Sequence, residues 1–346
     1  MIFQLLALFI TIGTFIPLIR CDYWMIRGWD FPRIQLFVAG LLVMPGLFIF
    51  GFSDSETGRD WLIIFLLASA LLALAIWMWR YTPLHKKEVL DGTSEIRIKF
   101  LVSNVLMYNR KSDKLLSHIR EYQPDIFVAL ETDKWWNDKL SNLSGQYPHA
   151  VELPQEDTYG MVVRSRIPLI GTTVEYIIRE NIPSVHAAIH LSDGTLVKLH
   201  ILHPKPPFPD EDSTSTDRDA ELLIIGKRAE EHGGPTIVLG DLNDVAWSRT
   251  TRLFQKISRL LDPRVGRGFF STFHAHHWFL RWPLDHIFIS DHFRVIHLKR
   301  LPSVGSDHFP MFAEFCYQPE GANHQEAPEE QSGDKAEADE KISAAN

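Results

Sequence analysis

Pro124-Asp125-Ile126-Phe127-Val128-Ala129-Leu130-Glu131 holds five consecutive apolar residues and then a carboxylate. Five is too few for a helix, and the run has the composition of a strand covered on both faces. A rigid strand that ends on a polar side chain fixes that group in place while the loop beyond leaves it open to substrate. The pattern recurs outward in both directions. Upstream, Asn104 falls near the end of an expected strand at 96–105. Downstream, His203 follows Leu199-His200-Ile201-Leu202, and Asp241 and Asn243 follow Ile237-Val238-Leu239-Gly240. Asp285 opens an expected strand at 285–289, and Asp307-His308 precedes another at 309–316. Each of these residues alone could cap a turn. A carboxylate, amide or imidazole at the end of strand after strand is not explained by turn chemistry.

Further strands are expected at 160–164, 185–191, 196–202 and 236–239. Helices are expected at 111–122, with Leu115, Leu116 and Ile119 on one face, and at 217–231, with Leu222, Leu223 and Ile225. The result is a mixed α+β domain over 95–317, joined by a linker at 81–94 to what precedes it. No repeat of fixed period is visible. The tail at 318–346 is polar and acidic and is expected to be disordered.

The first 80 residues are of another kind. Three apolar segments, 2–19, 34–52 and 61–79, contain no charged side chain and are each long enough to cross a bilayer. Their freedom from ionisable groups makes them an anchor rather than an ion or substrate path. Arg20, Arg27 and Arg33 lie in the first loop, and Arg80, Lys86 and Lys87 follow the third span, against Arg59 alone in the second loop. The positive-inside rule therefore puts the 95–317 domain in the cytoplasm, on an inner membrane of bacterial type.

Composition removes several classes. The 346-residue chain has a formal charge of −8, of which the tail supplies −6, and the first 80 residues are balanced. The 81–317 segment is thus close to neutral, which argues against gripping nucleic acid through a strong overall positive field. Two cysteines, Cys21 and Cys316, exclude a disulfide scaffold and a thiolate zinc site.

At Ser103-Asn104-Val105, Pro124–Glu131, Gly160-Met161-Val162-Val163-Arg164-Ser165-Arg166, Gly240-Asp241-Leu242-Asn243-Asp244, Leu284-Asp285-His286-Ile287-Phe288 and Ser306-Asp307-His308-Phe309-Pro310, the chain resembles the endonuclease/exonuclease/phosphatase superfamily. The resemblance covers nearly all of 95–317 and is to a membrane-anchored, bacterial-type member. It implies a deoxyribonuclease-I-like, four-layer α/β/β/α sandwich, here preceded by three transmembrane helices. It also implies a Mg²⁺ (or Mn²⁺) site with Glu131 as principal ligand, Asn104 beside it and Asp307 contributing. By the same resemblance Asp241 orients or deprotonates the attacking water, Asn243 donates to a phosphoryl oxygen, and Asp285 polarises His308, which contacts the phosphate. His203 matches a second phosphate-facing histidine, with a buried structural histidine as the other reading.

Four features stay open. Arg166 and Arg218 are either phosphate-facing cations or surface ion pairs. The cluster His274, His276 and His277 lacks the fixed spacing of a metal site. Trp278-Phe279-Leu280-Arg281-Trp282-Pro283 either wets an interface or packs on the sheet. The expected activity is phosphodiester hydrolysis by metal-activated water, on a nucleic acid or on a lipid or small phosphate ester, with the bilayer as the other partner and no obligate protein partner evident. The alternative is a catalytically silent, membrane-tethered binding module of the same fold.

Overall fold

The computed structural model describes residues 1–50, 57–208, 211–320 and 322–345; the last two residues expected in the second span, 51 and 52, lie outside them. Two sheets form the centre. The first has the order β10-β11-β1-β2-β4-β3 and the second β5-β6-β7-β8-β9. The first is built from β1 (Arg97–Asn104), β2 (Ile126–Leu130), β3 (His149–Leu153), β4 (Met161–Ser165), β10 (Phe293–Arg300) and β11 (Met311–Tyr317). The second is built from β5 (Ile170–Glu175), β6 (Ser184–His190), β7 (Leu196–Leu202), β8 (Thr236–Asp241) and β9 (Asp285–Ile289).

The period of two in each strand creates the layers. In β2, Ile126, Val128 and Leu130 face the second sheet and join Phe100, Ile201, Leu239 and Ile287 in one core. Phe127 and Ala129 face outward, where α5 (Ser112–Tyr122) and α6 (Lys134–Ser141) cover them with Leu115, Ile119, Trp136 and Leu140. On the other side α7 (Thr216–His232) and α8 (Arg249–Ser258) press Leu222, Ile225 and Phe254 against Val238 and Phe288. This is the four-layer sandwich. A Phe127→Ala exchange in such a layer is expected to cost about 3–5 kcal/mol.

Strand direction then gathers the polar ends. β1 and β2 run parallel, so Asn104 and the residue after Leu130 reach the same rim. β11 is antiparallel to β1 and therefore begins there, just after His308. In the facing sheet Asp241 ends β8, and the antiparallel register sets it opposite Asp285, the first residue of β9.

Before the sandwich come α1 (Ile2–Phe15), α2 (Trp24–Arg27), α3 (Arg33–Phe50) and α4 (Thr57–Trp79). Helices α1, α3 and α4 pack on one another through Ala7, Ile10, Leu36, Leu67 and Leu74. Their outward residues, among them Leu5, Phe9, Leu42, Ile49, Phe65 and Leu72, are apolar as well. A helix apolar all round is either enclosed by other protein or set in a membrane. α3 and α4 are long and apolar enough to cross a membrane by length and composition, whereas the apolar stretch from Ile2 to Leu18 is shorter.

Two segments differ from expectation. Residues 81–94 are no free linker: Val89 joins the inter-sheet core, and the Tyr81 hydroxyl donates to the Ala246 carbonyl at 2.6 Å. The tail is not disordered throughout either. Asp334–Ala344 forms α9, which buries Ala338 beside α7 and α8 and ties Lys341 to Asp22 and Asp219. Its Ala, Glu and Lys content favours helix, and these partners supply the anchorage that acidity alone did not reveal.

Candidate active site

Asn104 is the hinge of the site. Its Nδ2 donates to Glu131 Oε1 at 2.7 Å and to Asp241 Oδ2 at 3.1 Å, so one amide draws together carboxylates from opposite sheets. Its Oδ1 accepts the Leu106 amide at 3.0 Å, which fixes the rotamer. Glu131 itself has φ +57°, a left-handed conformation that costs a non-glycine residue energy and tends to persist at functional positions.

His308 stands between two more carboxylates. Its Nδ1 lies 2.8 Å from Asp285 Oδ2 and 3.5 Å from Asp241 Oδ2. The backbone around it is held by Ser306 Oγ, which accepts the His308 amide at 3.0 Å. Thr272 Oγ1 accepts the amides of Leu284 and Asp285 at the start of β9. Neither Ser306 nor Thr272 carries a sequence signal as a support, because each acts through a backbone contact made only in the folded chain.

Burial would lower the His308 imidazole, but Asp241 and Asp285 outweigh it and hold the group at about 10, protonated at neutral pH. Burial pushes the Glu131 carboxyl up to about 7, although the Asn104 hydrogen bond and the His308 charge pull the other way. Asp285 is likewise raised by burial, and its Oδ1 is buried without a hydrogen-bond partner among the described residues. Four carboxylates, Glu131, Asp241, Asp285 and Asp307, thus surround one imidazolium. Hard oxygen donors in excess, one of them orphaned, fit a Mg²⁺ or Mn²⁺ ion.

The expected metal set is only partly a cluster. Glu131 and Asn104 touch, while the Asp307 carboxylate takes a hydrogen bond from Ser306 Oγ at 3.3 Å. Among the described residues, the carboxylate and imidazole groups whose ligand atoms all lie within 4.8 Å are Asp241, Asp285 and His308.

His203 is buried, its ring 5.6 Å from that of Tyr159, and its Nδ1 has no hydrogen-bond partner among the described residues. Burial holds it below the ordinary imidazole range, with Asp241 and His308 among its charged neighbours. Asn243 follows Asp241 in the left-handed region at φ +51°, and its Nδ2 donates to the Pro204 carbonyl at 2.9 Å, which leaves one amide hydrogen for a ligand.

Other sequence candidates fall elsewhere. Arg218 is neither phosphate-facing nor on the surface. It is buried, pairs with Asp219 at 2.8 Å and Asp244 at 3.3 Å, and donates to the Asn243 carbonyl at 2.7 Å. Arg166 stacks on Tyr147. The rings of His274 and His277 are 4.6 Å apart, yet the three loop histidines form no metal-ligand group among the described residues. The 278–283 loop divides: Trp278 and Phe279 are exposed, whereas Trp282 stacks on Phe273 and meets Phe31 edge-on.

Two face-to-face sheets with outer helices and a carboxylate–imidazole pocket at one rim make this a deoxyribonuclease-I-like fold. Residues 101–308 match the Endonuclease/Exonuclease/phosphatase family, and the chain belongs to it. Members of that family are typically metal-dependent phosphodiester hydrolases. The human Nocturnin catalytic domain with bound sulfate is similar in fold, at TM-score 0.52 and 16% identity, covering 66% of this chain and 97% of its own. D. rerio TDP2 complexed with single-strand DNA product gives TM-score 0.51 at 15% identity, covering 63% and 98%. An endonuclease/exonuclease/phosphatase from Bacteroides vulgatus gives 0.51 at 14%, covering 64% and 99%. No curated protein matches the chain in sequence.

Proposed function

We propose that the chain is a membrane-anchored, divalent-metal-dependent phosphodiesterase. The observation that carries this reading is the convergence of Asn104, Glu131, Asp241, Asp285 and His308, from five strands of two sheets, upon one rim. Glu131, with Asn104 and Asp307, would hold a Mg²⁺ or Mn²⁺ ion, which when bound neutralises phosphoryl oxygens and stabilises the leaving oxygen. The placement follows from charge: His308 pairs with Asp241 and Asp285, whereas Glu131 and Asp307 form no ion pair among the described residues.

Asp241 orients the attacking water and accepts its proton. His308, clamped at Nδ1 by two carboxylates, presents its Nε2 edge to a phosphate oxygen as a hydrogen-bond donor. Asn243 donates its free amide hydrogen to the same phosphoryl group, and His203 closes the buried side beside Tyr159. One similar structure, D. rerio TDP2, is complexed with a single-strand DNA product, in keeping with a phosphodiester in such a pocket.

The three apolar helices are the anchor. The loop between α1 and α3 lies on the same side of the membrane as the catalytic domain, because Tyr23 bridges to Thr214 and the Trp247 indole donates to the Asp30 carbonyl. That arrangement fits a pair of crossings by α3 and α4, to which α1 would add a third, and the Lys and Arg distribution favours the cytoplasm for this side. The test is hydrolysis of duplex DNA, single-stranded RNA, sphingomyelin and phosphoinositides by the full chain with Mg²⁺ or Mn²⁺. Cleavage of at least one, abolished by a chelator, is expected; turnover that persists in the chelator overturns the proposal. A cytoplasm-active reporter fused after residue 90 should be active, and activity of a periplasmic reporter alone contradicts the orientation.

A further inference from the structure

A groove of about 880 Å³ runs between the first turns of α3 and the loop at 267–281. One wall is Val38 and Leu42 of α3, 50% and 74% exposed; the other is Trp278 and Phe279, 80% and 53% exposed. Gln35 of α3 donates to the Phe279 carbonyl at 2.8 Å, so the two walls are fastened together. Arg281 and Arg300 line the same groove and both stack on Phe309, at 5.0 Å and 4.3 Å. Phe309 follows His308, and Phe273 of the loop packs its ring 5.0 Å from the His308 ring. The Arg281 Nε is buried without a hydrogen-bond partner among the described residues.

We propose that this groove takes the apolar tail of a bilayer-resident phosphate ester, with Arg281 and Arg300 meeting its anionic head and the phosphodiester reaching the pocket at His308. The proposal rests on the phosphodiesterase reading and names its substrate class. Charge and apolarity are divided along the groove as they are in such a lipid. The cations stack on Phe309, next in the chain to His308, and the apolar residues run along a helix long enough to span a membrane. Leu42 lies about 13 Å along α3 from Arg33, at 1.5 Å per residue. With α3 anchored in a bilayer as proposed, an occupant at that depth sits in hydrocarbon, where a polynucleotide backbone has no hydration. A base stacked on Trp278 would leave Val38 and Leu42 without a partner.

The test uses the full chain in phosphatidylcholine nanodiscs with Mg²⁺ and two esters sharing one scissile bond, hexadecyl and methyl para-nitrophenyl phosphate. In both, a water oxygen forms the new bond to phosphorus, the bond to nitrophenolate breaks, and the water proton passes through Asp241 to solvent. The hexadecyl ester is expected to be cleaved at least about tenfold faster, as burial of several methylenes permits. Leu42→Trp, and Val38→Trp as a second variant, should each reduce that preference about tenfold by filling the groove, while Phe65→Trp on the outer face of α4 should keep it.

Binding of a fluorescent hexadecyl phosphate in the absence of metal gives a readout without turnover, and Leu42→Trp should weaken it to the same extent. Equal cleavage of both esters with binding untouched by either groove variant overturns the groove and leaves the hydrolase. Binding lost in the variants while neither ester is hydrolysed leaves the groove and overturns the hydrolase. Displacement of the hexadecyl ester by oligodeoxythymidylate, with that displacement weakened in Trp278→Ala, assigns the groove to nucleic acid and overturns the proposal.

Discussion

Asp241 and Asp244 stand three residues apart at the end of β8 and belong to opposite electrostatic arrangements. Around Asp244, the cations Arg27, Arg33, Arg218 and Lys341 interleave with the anions Asp22, Asp30, Asp219 and Asp244. Arg27 lies 3.4 Å from Asp30 and 4.0 Å from Asp244, and Lys341 lies 2.6 Å from Asp22 and 2.9 Å from Asp219. Burial alone would raise the Asp219 carboxyl, but Arg218, Lys341 and Arg27 hold it well below the usual carboxylate range. Around Asp241, four carboxylates share one imidazolium, and Glu131 is pushed up to about 7. A buried cluster whose charges balance is architecture: it bolts the loop after α1 and the C-terminal helix α9 to the catalytic domain. A cluster left with surplus negative charge is built to receive a cation and a phosphate.

That difference makes opposite demands on substitutions. Glu131→Ala and His308→Ala should each lower kcat for a phosphodiester by about 10³-fold while circular dichroism stays native. Full activity in either variant would erase the distinction. On the balanced side, Arg27→Ala leaves Asp30 and Asp244 buried short of a partner and should destabilise the full chain by about 3–5 kcal/mol in chemical unfolding. A change within about 0.5 kcal/mol would mean that the network is not structural.

The surplus side should respond with the reverse sign. The folded Glu131 carboxyl is raised from 4.5 to about 7, so its stabilising contribution is present below the unfolded value and is lost as pH rises through about 7. In metal-free chain at about pH 8, Glu131→Gln should therefore raise stability by about 1 kcal/mol, with the gain vanishing at about pH 4. The same proton competes with a cation. Mn²⁺ affinity measured by calorimetry should rise about tenfold per pH unit up to about 7 and level off above it, with release of one proton.

The site was legible in the sequence where a buried strand runs straight into a polar residue, as at Leu130-Glu131 and Gly240-Asp241. A strand covered on both faces leaves an unbroken apolar run, and its end is visible. The strands that gave no such signal are β3, β5 and β10, all at sheet edges. Every residue of β5 is exposed or half-buried, and β3 alternates between the two, so neither carries an apolar run. Asn104 was legible as a site residue but not as a clamp between two carboxylates, because its partners lie 27 and 137 residues away. Arg27 and Arg33 counted as topogenic charges in the sequence; their burial against Asp30 depends on a domain more than 200 residues downstream.

The central claim is that the rim at Glu131, facing Asp241, receives a catalytic cation. The most direct measurement is a Mn²⁺ titration of the full chain, followed by calorimetry and by hydrolysis of methyl para-nitrophenyl phosphate in parallel. Binding and turnover should rise together and be lost together in Glu131→Gln. Hydrolysis that survives a chelator, or Mn²⁺ binding undiminished in Glu131→Gln, would contradict the account.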